Sequence, residues 1–179
     1  MIKIKKYFLN YFNLNNKILK EIDFDKVNKL LKEIEKLKNN KKKILIFGNG
    51  AGASIASHFA NDINKNVKIR CLSFDSSVHL TCYANDYGYE NWVKETIKSH
   101  YQKGDFIILI SASGNSLNMV RASSYCKKKR YNYFSITGFK INNKLIRNSK
   151  NYLWINSSSY NQVEIAQLFL LLGIIDKLK

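Results

Sequence analysis

Two small-residue loops hold the side chains whose types and spacing could do chemistry. Residues 111–116 read Ser-Ala-Ser-Gly-Asn-Ser. Three hydroxyls and a glycine just before a helix suit a phosphate. The first N–H groups of a helix have no partner, the dipole favours an anion, and Ser hydroxyls add adjustable donors. The same residues also suit a plain turn, with Ser116 as N-cap and Ser111 and Ser113 shaping the bend. Residues 48–53, Gly-Asn-Gly-Ala-Gly-Ala, sit in the equivalent place after an earlier strand and let a ligand approach the backbone closely. Their spacing is out of register with GxGxxG, and no acidic residue closes the second strand, since Ser73 and Phe74 precede Asp75. A dinucleotide site is therefore not expected. His58 and Asp62, four apart on the helix after that loop, read by themselves as a surface pair.

The elements that position these groups follow from apolar periodicity. Residues 1–22 suit a helix with Tyr7, Phe8, Tyr11, Phe12, Leu14, Ile18 and Leu19 as its apolar set. Val27, Leu30, Leu31, Ile34 and Leu37 form one helical stripe, capped by Asp23 or Asp25. Apolar runs at 44–47, 67–74, 106–110, 131–137 and 151–155 read as strands. Helices are expected from 51 to about 64, over 90–101, 117–129 and 161–178, with a short turn of helix at 143–147; residues 76–89 read as a long connection. Strand and helix in alternation imply an α/β domain with a parallel sheet covered on both faces and ligands at the carboxyl ends of its strands.

Composition narrows the class. At 179 residues and 45% hydrophobic, the chain is expected to be one folded domain. The net charge of +17 comes from dispersed Lys and Arg. Its densest runs, at 41–43 and 127–130, have ordinary explanations, the second as cations at a helix C-terminus. Nucleic acid is not the expected partner, although the charge attracts anions. Cys71, Cys82 and Cys126 are too widely spaced for a metal or redox motif and read as free thiols. No segment has the length and apolarity of a membrane span, so no membrane partner and a cytoplasmic location are expected.

Read together, Gly48-Asn49-Gly50 leading to His58-Phe59-Ala60, the run Ala84-Asn85-Asp86-Tyr87-Gly88-Tyr89-Glu90, and residues 111–118 match in order and spacing the signatures of one family. Over most of its length the chain resembles the phosphoheptose isomerases of the sugar isomerase (SIS) superfamily. The resemblance implies a three-layer SIS fold, a five-stranded parallel sheet flanked by helices with two more helices at the N-terminus. It implies isomerisation of sedoheptulose 7-phosphate or a related sugar phosphate in a homotetramer, with residues 1–40 used in oligomerisation and active sites completed between subunits. Carried over, Ser111, Ala112, Ser113 and Ser116 hold the phosphate, while Asn49, Gly50, Ala51, Asn85, Asp86 and Asn161 contact the sugar. His58 and Asp62 become catalytic groups and ligands of a Zn²⁺.

The chain departs from the family where the chemistry is done. Asp62 stands for a Glu, Asn161 for a Gln and Phe169 for a His, while Ala51 and Gly52 replace the usual Gly and Ser. An SIS domain that only binds a phosphosugar or a partner protein is the alternative reading. The retained His58 and Asn85-Asp86 point to the enzyme.

Overall fold

The computed structural model describes residues 2–179, and Met1 lies outside the described residues. Five parallel strands form one sheet in the order β2-β1-β3-β4-β5. They are β1 (Lys43–Phe47), β2 (Arg70–Ser73), β3 (Phe106–Ser111), β4 (Asn132–Thr137) and β5 (Tyr152–Trp154). Their near-continuous apolar sequences are what burial on both faces requires. Side chains alternate between two cores. Ile44, Ile46, Phe106, Ile108 and Ile110 enter one, and Leu45, Phe47, Ile107 and Leu109 enter the other.

The first core is closed by α1 (Ile2–Lys20), α2 (Phe24–Glu35), α3 (Ala51–Asp62) and α8 (Tyr160–Leu178), and the second by α5 (Trp92–His100), α6 (Leu117–Lys129) and α7 (Lys144–Asn148). Asp23 caps α2 by accepting from the Lys26 N–H. At the amino end of the sheet Asp105, 1% exposed, accepts from Lys43 Nζ at 2.6 Å, the Lys43 N–H at 3.1 Å and the Gln102 N–H at 2.8 Å. Three donors offset the cost of burying that carboxylate, so β1 and β3 start in a defined register.

The α/β class, the parallel sheet and the two N-terminal helices agree with the sequence. Two expectations change. Residues 76–89 are mostly the helix α4 (Ser77–Tyr87), not a long connection. None of its residues is buried, so it has no apolar stripe for periodicity to find. The second strand is shorter than expected, because a π turn (Ile63–Val67) carries the end of α3 up to Lys68 in the left-handed conformation.

Candidate active site

The Ser loop joins β3 to α6 at the carboxyl end of the sheet and is shaped by Gly114. This residue has φ +65°, and a Cβ there would stand 2.2 Å from the Asn143 amide. Only glycine satisfies both demands. Asn143 caps α7 by accepting from the Ile146 N–H, and its Nδ2 donates to Thr137 Oγ1 at 2.9 Å and the Lys140 carbonyl at 2.9 Å. From that anchored end of α7, the Leu145 N–H donates to the Gly114 carbonyl at 2.9 Å and the Lys144 N–H to Asn115 Oδ1 at 3.2 Å. The loop is thus braced from outside.

Its hydroxyls are only partly occupied. Ser116 is the N-cap of α6 but makes no side-chain capping bond. Ser113 Oγ accepts from the Asn115 N–H at 3.2 Å, and Ser111 Oγ is buried with no hydrogen-bond partner. Unfilled caps recur at Ser76, Asn91 and Ser159, so the buried unpaired Ser111 hydroxyl is the feature that a plain turn leaves unexplained.

The turn after β1 closes the other side. Gly48 is required by contact, since a Cβ would lie 2.2 Å from the Gly52 carbonyl, and Gly50 has φ +53°. Asn49 and Asn118 exchange two amide hydrogen bonds, at 3.0 and 2.8 Å, and Tyr89 donates to Asn49 Oδ1 at 3.3 Å. Asn49 therefore clasps the first loop to the start of α6.

Between the loops lies a cavity of about 100 Å³ lined by Asn49, Gly52, Ile110, Ser111, Ala112, Ser113, Ser116, Tyr160, Glu164 and Gln167. The structure brings Asn49, Ser111, Ala112, Ser113 and Ser116 together there. Gly50, Ala51, Asn85, Asp86 and Asn161 are exposed and do not line it. Asn85 donates to Asp86 Oδ1 at 3.1 Å on the outer face of α4. His58 and Asp62 also lie outside the cavity lining, on an open face of α3 with Nε2 and Oδ2 3.4 Å apart.

Of the cavity's α8 residues, Tyr160 and Gln167 are not legible as site residues in the sequence, while Glu164 is, with Gln162, an alternative donor or acceptor on the last helix. Tyr160, Glu164 and Gln167 stand at i, i+4 and i+7, which places them on one face of α8. The buried Gln167 donates from Nε2 to the Ile136 carbonyl at 3.3 Å, while its Oε1 is buried without a partner. A polar stripe on an otherwise apolar helix was the available signal. Alignment with family positions drew attention instead to Asn161 and Phe169. Asn161 is exposed, and Phe169 is 58% exposed.

His58 and Asp62 would offer a zinc ion two ligands at most, where a catalytic zinc site takes three protein ligands and a structural one four. Among the described residues no group of three or more His, Cys, Asp or Glu side chains could hold a metal. The residues of a single chain do not fit the ion.

The β-strand order, the braced Ser loop and its cavity define a class. The SIS domain family model matches residues 7–138, and the chain belongs to that family. Within it the chain is a member of the phosphoheptose isomerase family. It is 34% identical over 144 residues to the phosphoheptose isomerase of Buchnera aphidicola from Acyrthosiphon pisum, covering 75% of each chain. It is 37% identical over 142 residues to that of Helicobacter pylori, covering 75% of this chain and 73% of the relative. The structure of the phosphoheptose isomerase from Neisseria gonorrhoeae superposes with a TM-score of 0.88 over 98% of this chain and 99% of that one, at 19% identity. No helix of the described residues is long and apolar enough to cross a membrane.

Proposed function

We propose that the protein isomerises a sugar phosphate, sedoheptulose 7-phosphate by likeness to its relatives, with the phosphate in the Ser loop and Glu164 as the proton carrier. The observation that carries this reading is the cavity's lining. Ser hydroxyls and the N-terminus of α6 offer donors to an anion, and the unpartnered Gln167 carbonyl offers an acceptor to a sugar hydroxyl. At about 100 Å³ the cavity takes the phosphate group, and the sugar carbons extend towards its mouth.

Moving a carbonyl between neighbouring carbons requires a base that takes a proton from one carbon and returns it to the other. Glu164 is the only carboxylate lining the cavity. His58 and Asp62, on the open face of α3, would have to act on a part of the sugar outside it. We further propose that the molecule is a homo-oligomer joined through α1, whose Tyr7, Phe8 and Phe12 are all more than 60% exposed.

The test is an assay of the purified protein with sedoheptulose 7-phosphate. Wild type should turn the substrate over. Glu164→Gln should lower kcat by about 10² to 10⁴ with KM nearly unchanged, while His58→Ala should cost less than tenfold. Binding without turnover in the wild type would make the protein a phosphosugar-binding module. Loss of activity in His58→Ala but not in Glu164→Gln would move the chemistry to α3.

A further inference from the structure

A cavity of about 690 Å³ lies at the opposite end of the sheet from the Ser loop. It is bounded by the C-terminal ends of α6 and α7 and by the residues that start β4 and β5. Four cations line it, Lys127 and Arg130 from the end of α6 and Arg147 and Lys150 from the end of α7. No carboxylate lines it, and among the described residues none of the four forms an ion pair. Glu33, which accepts from the lining residue Asn132 at 2.7 Å, is already paired with Lys36.

Cations at helix C-termini are favourable alone, and that explains one run of them. It does not explain why two helix ends deliver their cations into one cavity. Arg130 ends α6 in the left-handed conformation, φ 57°, where glycine is the usual residue, so a long cationic side chain stands at the turn beside the groove. Arg147 spends only Nε internally, donating to the Asn142 carbonyl at 2.7 Å, which leaves the two terminal nitrogens of the fork. Two guanidinium forks and two ammonium groups match an anion of three or four charges. The volume lies within the range of small-molecule sites and exceeds what a single phosphate needs.

We infer that this groove binds a small anion carrying a chain of phosphates, either a nucleoside triphosphate or inorganic polyphosphate. Four cations gathered in one concave site suit a compact ligand better than a nucleic-acid strand, which is met by charges spaced along a track. The site is separate from the phosphosugar cavity and does not depend on the reading of that cavity.

Calorimetry of the full chain with ATP, inorganic tripolyphosphate and a single-stranded 12-mer tests this at moderate salt. Both small anions should bind at one per chain, and the tighter of the two names the source. Arg130→Glu with Arg147→Glu should weaken both at least tenfold, Lys127→Ala with Lys150→Ala should weaken them less, and Ser113→Ala should leave them unchanged. All four cations are on the surface, and unchanged circular dichroism and melting temperature would show that the variants are folded. No heat with either small anion, tighter binding of the 12-mer, or loss in Ser113→Ala in place of the arginine variant would each overturn the assignment.

Discussion

Ser111 carries the most information of any single residue in the site. Its hydroxyl is buried and has no protein partner, a state that costs about 1–3 kcal/mol for a polar group. A phosphate oxygen within reach would recover that cost. Ser111→Ala removes the unpaired group together with the ligand contact, so it should weaken sugar-phosphate binding by about one hydrogen bond, roughly tenfold. The melting temperature should hold or rise slightly. Calorimetry beside a thermal melt checks both, and a variant that binds as well as wild type but melts lower would show the hydroxyl to be structural. Cys126 is a contrast at the same scale. Burial pushes its thiol up to about 12, so it stays neutral and serves as core.

Among the elements, α4 is held to the domain by aromatic contacts, not by a buried apolar stripe. His79 stacks on Tyr83 at 4.2 Å, lies 5.2 Å from Phe74 and 5.8 Å from His100, and is 2.8 Å through Nε2 from Thr96 Oγ1 on α5. The Thr96 hydroxyl donates to the Trp92 carbonyl, so it accepts from His79 Nε2–H. Burial, and then the neighbouring His100, hold the His79 pKa below the ordinary histidine value. The folded state therefore binds its proton less readily than the unfolded chain. The stability this contributes is fully present above about pH 6.5 and is lost as pH falls through the lowered folded value. Urea unfolding should give a lower midpoint at pH 5.5 than at pH 7.5, and His79→Gln should flatten that difference. An equal slope in the variant would assign the effect to other groups. The short α7 is a strut with two ends: its first residues brace Gly114 and Asn115, and its last reach the basic groove.

For the whole molecule the unfinished surface is α1. Its C-terminal end is buried through Ile18, while Ile4, Tyr7, Phe8, Leu9, Phe12 and Leu14 are exposed at 46% or more. These exposed side chains are what the proposed assembly through α1 would cover. Light scattering should give a mass that is a multiple of 20.8 kDa, and Phe8→Glu with Phe12→Glu should reduce it to one chain with unchanged circular dichroism. A wild type that runs as a single chain would remove this role for the helix.

The sequence by itself determined the strand order along the chain, an aspartate cap for α2 at Asp23 or Asp25, and the Ser loop after β3. Each of these is encoded within a dozen residues by apolar runs, a capping side chain or a glycine that only one turn accommodates. It could not show α4, which meets α5 through His79 against Trp92, Thr96 and His100, thirteen or more residues along the chain, and not through a periodic stripe. Tertiary structure alone decided which face of α8 meets the Ser loop. Helical spacing puts Tyr160, Glu164 and Gln167 on one face and Asn161 and Ile165 on another. Packing against α3 and the sheet turned the first towards the cavity and left the second exposed. The two halves of the basic groove lie some twenty residues apart, and only the side-by-side pairing of β4 and β5 brings their cations together.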